Sequence, residues 1–182
     1  MSTPRRVFLM GWMAAPLAAV LSACGFQLRS VANYPFRTLF ANFAMASPLG
    51  VELRRNLLGT GRIEVWSEPS QMLKADVILD ILGEERQQVV VGLNALGQVR
   101  ELQLRLRVKF RLRSPDGGVW IDEVELAQQR DLSFTETAAL SKEIEQTMIY
   151  RDMQTDIVQQ IMRRLAMVKP PAKTATPSAV KS

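Results

Sequence analysis

Histidine is absent from all 182 residues, and cysteine occurs once. Without histidine the chain lacks the usual general base, the Ser-His and Cys-His nucleophile pairs and the commonest metal ligand. One cysteine cannot form an internal disulfide, so the fold must stand on its hydrophobic core. A glycine-rich phosphate loop is missing too. The adjacent carboxylates Glu84-Glu85 and Asp122-Glu123 make poor acid/base pairs, because neighbours on a strand point to opposite faces. The chain reads as a non-enzyme, with neither metal nor cofactor expected.

Long apolar runs are also scarce. The one at residues 7–20 is shorter than the roughly 20 residues of a spanning helix, and Pro16 interrupts it. Arg5 and Arg6 before it and Ser22-Ala23 after it give the layout of a secretory signal. Arg5-Arg6-Val7-Phe8-Leu9 resembles the twin-arginine export signal as well, which leaves the export route open. The sole cysteine closes the stretch Leu21-Ser22-Ala23-Cys24, which resembles a bacterial lipobox. In such a sequence the chain is cut before the cysteine, which carries the lipid. Three acyl chains on Cys24 make attachment effectively permanent, at about 0.8 kcal/mol per buried CH₂. In lipoproteins of this type an aspartate after the cysteine retains the protein at the inner membrane. Gly25 stands there instead, which implies the inner leaflet of the outer membrane, facing the periplasm. The expected organisation is a signal peptide at 1–23, one folded domain at 24–168 and a disordered Pro/Lys-rich tail at 169–182.

The formal charge of +5 misleads about partners. Setting aside Arg5 and Arg6 at the front and Lys169, Lys173 and Lys181 at the back leaves 18 basic against 18 acidic residues. The folded module is neutral, and no nucleic-acid partner is expected.

Periodicity then orders the chain. An apolar run at 38–43 reads as a buried strand. Ser47-Pro48 is a helix start, with Ser as N-cap and Pro in the first turn, and Leu49, Leu53 and Leu57 give the helix one apolar face. Gly59-Thr60-Gly61 ends it before a second short strand at 62–66. Strand, helix and strand with tight links predict a parallel βαβ unit. A meander follows: a strand at 75–91, a turn at 94–97, a strand at 98–113, a turn at 115–118 and a strand from Val119. In the middle strand Leu102, Leu104, Leu106, Val108, Phe110 and Leu112 face one way; Arg105, Arg107, Lys109, Arg111 and Arg113 face the other. Only a strand sorts residues in that way. In the next strand Trp120, Val124, Leu126, Leu132 and Phe134 share a face. A long helix at 138–168 carries Ile149, Met153, Ile157, Ile161 and Leu165 at i+4 spacing. The fold class is α+β: a two-layer sandwich of a mixed four- to five-stranded sheet with both helices packed on one face. Five basic side chains are left on the opposite face.

A lipobox followed by Gly25-Phe26-Gln27-Leu28-Arg29, a βαβ opening containing Val51-Glu52-Leu53-Arg54, a three-strand meander and a long C-terminal helix occur in this order. Over nearly its whole length after Cys24 the chain resembles the LptE family of lipopolysaccharide-assembly outer-membrane lipoproteins. Gly97-Gln98-Val99-Arg100-Glu101-Leu102-Gln103-Leu104 resembles the family's stretch after the central turn. The resemblance implies a role without a reaction: a plug and folding partner of the β-barrel that inserts lipopolysaccharide (the LptD-like translocon), with lipopolysaccharide as a ligand. It also implies lipid contacts at the central turn and at a basic residue near the start of the last helix. Lys142 matches the latter; at the turn the nearest basic residue is Arg100. With Arg105, Arg107 and Lys109 of the basic row, these are the candidate lipopolysaccharide-binding residues, since guanidinium forks match phosphate oxygens.

Two alternatives stay open. The basic row forms a solvated charge lattice if Glu123 and Glu125 fall beside Lys109 and Arg107, and Asp80 and Glu84 beside Arg111 and Arg107. As a function, an adaptor for an envelope enzyme or peptidoglycan, or an envelope enzyme using an Asp or Glu, would fit the same anchor.

Overall fold

The structure, a computed structural model, describes residues 33–134 and 139–171. The signal segment, Cys24 and the end of the tail lie outside the described residues. Five strands form one mixed sheet: β1 (Thr38–Asn42), β2 (Glu64–Trp66), β3 (Val77–Leu93), β4 (Val99–Arg113) and β5 (Val119–Ser133). Among the described residues the α-helices are α1 (Pro48–Gly59) and α2 (Ala139–Met167), and a 3-10 turn spans Pro69–Lys74. The strand order is β2-β1-β3-β4-β5. β1 is parallel to β2 and to β3, and the rest is an antiparallel meander. The anticipated α+β sandwich and its βαβ opening are therefore present.

Local chemistry places the elements. Ser47 accepts a hydrogen bond from the Gly50 amide at 3.0 Å, which caps α1 ahead of Pro48. Gly50 is required there, because a Cβ would lie 2.2 Å from the Ala44 carbonyl oxygen. Gly97 and Gly117 turn the two hairpins at φ 78° and 91°. Leu49, Leu53 and Leu57 of α1 and Met153, Ile157, Ile161 and Leu165 of α2 are buried against Leu39, Val77 and Leu79 and the even-numbered face of β4. The alternation read in β4 is thus the alternation of core and solvent.

Three features depart from the sequence reading. Residue pairing slips between Ile81 and Gly83, so the extra residue at Leu82 reverses the parity of β3. Beyond it Glu84, Arg86, Gln88 and Val90 pair with the core-facing residues of β4, and Glu85 rather than Glu84 lies opposite Arg107. A second slip in β5 sets Ile121 opposite Leu112, with Trp120 still packed on the core. The face opposite the helices is not bare either. Phe40, Ala75 and Ile78 form a second apolar cluster there, and Met72 of the 3-10 turn and Trp66 pack onto it.

α1 and α2 run parallel and meet through polar side chains. Glu52 accepts hydrogen bonds from Gln154 Nε2 at 2.7 Å and Thr155 Oγ1 at 2.8 Å, and Gln159 donates to Asn56 at 3.2 Å. Arg86 of β3 donates to Gln154 at 3.2 Å, pairs with Glu84 at 2.9 Å and lies 5.5 Å from the Tyr150 ring centroid. The Tyr150 hydroxyl donates to the Gln87 carbonyl at 2.8 Å, and burial raises its pKa above the usual phenol value, against the opposing effect of Arg86. This network fixes the register of both helices on the sheet. The sequence offered only a faint signal of it: Glu52 and Asn56 sit at i, i+4 beside the leucine face.

Candidate anion-binding face

On the face away from α1 and α2 the basic row of β4 divides into three groups by its partners. At one end Arg111 and Arg113 share Asp80, at 2.7 and 2.8 Å, and Asn42 donates to the same carboxylate at 2.5 Å. Asp80 is only 2 % exposed. Burial pushes its pKa up, but the hydrogen bonds from Arg113, Asn42 and Arg111 and the charge of Arg113 outweigh that and hold it below the ordinary carboxylate value. These two arginines are committed to structure. In the middle, Lys109 lies 3.9 Å from Glu123 and 3.7 Å from Glu125. Its charge is largely offset.

Arg105 and Arg107 form the third group. Arg107 reaches Glu125 at 3.9 Å, which Lys109 shares, and Arg105 donates to the neutral Gln103 at 2.8 Å. Arg105 lies opposite Gln129, and Arg107 opposite Ala127. The small alanine leaves a notch of about 540 Å³ lined by Arg105, Arg107, Ala127, Gln128, Gln129 and Arg130. Arg130 reaches it around the edge of β5 while pairing with Asp156 of α2 at 3.0 Å. Cationic charge in the notch exceeds the carboxylates beside it. Guanidinium groups two residues apart on one strand face can hold one tetrahedral anion from two sides.

The other candidates lie elsewhere. Arg100 is the extra residue of a bulge at the start of β4, five residues or about 16 Å from Arg105. Lys142 belongs to α2, in the layer on the opposite side of the sheet, and pairs with Glu145 at 2.7 Å. The single surface anticipated from Arg100 to Lys142 is therefore divided between two faces. Arg130 and Ala127 were not singled out in the sequence, because only strand register brings a residue of β5 beside Arg105 and Arg107. The lattice anticipated around Lys109, Arg107 and Arg111 is present through Glu123, Glu125 and Asp80; Glu84 is absent from it, having turned to the helix side.

Comparison with known proteins bears on what such a face serves. Residues 27–165 match the family model LptE, described as lipopolysaccharide-assembly. The chain is 27% identical over 154 residues to the LPS-assembly lipoprotein LptE of Photorhabdus laumondii, covering 82% of this chain and 80% of that one. It is 26% identical over 151 residues to the LPS-assembly lipoprotein LptE of Yersinia enterocolitica, covering 82% and 71%. Among solved structures, lipoprotein B of Nitrosomonas europaea superposes with a TM-score of 0.66 at 31% identity, over 78% of this chain and 90% of that one. The rare lipoprotein B of Shewanella oneidensis shares the fold, with a TM-score of 0.59 at 18% identity over 71% and 94%.

Proposed function

The chain belongs to the LptE family of lipopolysaccharide-assembly proteins, and from that premise we propose that it is an outer-membrane lipoprotein serving as plug and assembly partner of the β-barrel that inserts lipopolysaccharide. Cys24 carries the lipid, in the inner leaflet and facing the periplasm. The domain acts by binding, not by catalysis. Its ligand is lipopolysaccharide, and the contact is between lipid A phosphate and the notch at Arg105 and Arg107.

One observation carries the ligand assignment. Among the described residues Arg105 is the one member of the basic row without a carboxylate partner, donating instead to the neutral Gln103, and Arg107 beside it has only Glu125 at 3.9 Å, which Lys109 shares at 3.7 Å. Arg111 and Arg113 are spent on Asp80. Planar guanidinium groups suit phosphate oxygens, and the open notch admits a headgroup without rearrangement of the sheet. Arg100 and Lys142, being apart from the notch, are proposed only as separate contacts to the same amphiphile.

The partner assignment is tested by tagging the full chain and extracting it from outer membranes in mild detergent. A heat-modifiable β-barrel should co-purify in equal amount. Recovery of a periplasmic enzyme or peptidoglycan in its place would overturn the assignment.

A further inference from the structure

The helix layer is shorter on one side than on the other. Because Glu52 meets Gln154 and Thr155, the first residue of α1, Pro48, stands level with residues 150–151 of α2. α2 begins at Ala139, so its first twelve or so residues, about 18 Å at 1.5 Å each, run over the sheet with no helix beside them among the described residues. Among the described residues β3 has a partner on one edge only along the same length. β1 reaches only to the Asn42–Asp80 pair, and among the described residues nothing pairs with the outer edge of residues 85–93.

The side chains around this gap are apolar and exposed. Met148 and Ile144 lie within about 20° of Thr155 around the helix axis, on the flank where α1 packs but ahead of its first turn. They are 60% and 56% exposed. Val90 pairs with the core-facing Leu102 and so faces the helix side, yet it is 50% exposed, and Leu93 is 61% exposed. The two edges of the meander differ in kind. β5 carries Asp122, Glu123, Glu125, Arg130 and Asp131 along its edge, the usual guard against strand addition. Residues 87–93 of β3, Gln-Gln-Val-Val-Val-Gly-Leu, carry no charge and no proline. An edge free of charge and proline up to its irregularity at Val91-Gly92, beside exposed apolar side chains, is a place where another strand belongs.

We propose that residues 87–93 of β3 pair with an extended, uncharged segment of a partner protein, which adds a strand to the sheet and sets alternate apolar side chains on Val90, Ile144 and Met148. Main-chain hydrogen bonds supply affinity and the alternate side chains supply selectivity. The proposal rests on the reading that the β-barrel is the partner. A closed barrel wall has no free edge, so the segment belongs to a part of that protein outside the closed wall. A second copy of this chain fits less well. α2 lies over β4 and β5, and strands are about 4.8 Å apart. Two copies joined edge to edge through β3 would therefore hold their α2 helices about 19 Å apart, well beyond the 8–10 Å of packed helices.

The test compares amide hydrogen exchange of residues 87–93 in the full chain alone and in the complex with the co-purified barrel. Alternate amides of that stretch should exchange at least about tenfold more slowly in the complex. Val90→Lys and Met148→Lys should weaken barrel capture with the melting temperature of the isolated chain unchanged, since both side chains are exposed. If the barrel is captured and these amides exchange as in the free chain, the edge proposal fails while the partner reading stands. If no barrel is captured, the partner reading fails first and the edge proposal with it. Protection in the isolated chain that grows with its concentration would assign the edge to a second copy and overturn the proposal.

Discussion

Replacing Glu52 by alanine tests whether the polar seam between the helices holds them in register. Glu52 is 8% exposed and accepts from Gln154 at 2.7 Å and Thr155 at 2.8 Å. Hydrogen bonds onto a charged acceptor contribute about 1.5–3 kcal/mol each, and the stranded donors cost part of their desolvation as well. Alanine leaves Gln154 Nε2 facing an apolar gap, while the Thr155 hydroxyl can rotate toward water. The expected net loss is about 3 kcal/mol. For a domain of this size that is a fall of about 6–12 °C in melting temperature. Glu52→Gln keeps one acceptor and replaces the other by a donor, which Thr155 can meet by turning its hydroxyl. About half the loss is expected. Urea unfolding followed by far-ultraviolet circular dichroism measures both. A double-mutant cycle with Gln154→Ala should return a coupling of about 1–2 kcal/mol. If Glu52→Ala unfolds within about 0.5 kcal/mol of the parent with the same urea slope, the seam does not fix the helices and the reasoning is wrong.

Leu106 is fully buried, so Leu106→Asp should abolish cooperative unfolding, whereas Arg107→Ala should cost less than about 1 kcal/mol; reversed results in urea would mean the faces of β4 are misassigned. Asp80 has a lowered pKa, so its contribution is complete above the unfolded value near 3.9 and is lost as the pH falls toward the folded value. The stability gap between the parent and Asp80→Asn should therefore be widest near neutrality and shrink below about pH 4; a gap that widens in acid contradicts the two-arginine clamp. Cys24→Ser should block lipid attachment, and Gly25→Asp should retain the protein at the inner membrane; envelope fractionation showing neither change would count against the anchor.

The period-2 alternation of β4 was legible because one face is buried along the strand from Leu104 to Leu112. The Ser47-Pro48 start and the leucine face of α1 were legible for a similar reason, since cap chemistry and burial agree there. β3 was legible only as far as its bulge. An extra residue at Leu82 has no strong sequence signature, and it decides which of Glu84 and Glu85 meets Arg107. The 3-10 turn over Phe40 and Ile78 escaped notice because a short apolar cluster has no period to reveal it. The basic row was visible, but its division was not. Two arginines are held by Asp80, a lysine is flanked by glutamates, and the notch arises where Ala127 falls opposite Arg107. Register decides all three, and a single strand's sequence does not carry it. Lys142 and Arg100 were grouped with that row by resemblance, and the sheet itself separates them.

The central claim is that the notch at Arg105 and Arg107 receives lipid A phosphate. Binding of purified lipopolysaccharide to the full chain should be measured for the parent and for Arg105→Gln with Arg107→Gln, at low and at physiological salt. The double variant should bind about tenfold or more weakly at low salt, corresponding to about 1.4 kcal/mol. The difference should shrink as salt is raised, because exposed charges are screened within about 8–10 Å. Arg111→Gln, whose partner is Asp80, should unfold at lower urea yet bind as the parent does. Parental binding by the double variant, with its fold intact, would contradict the account.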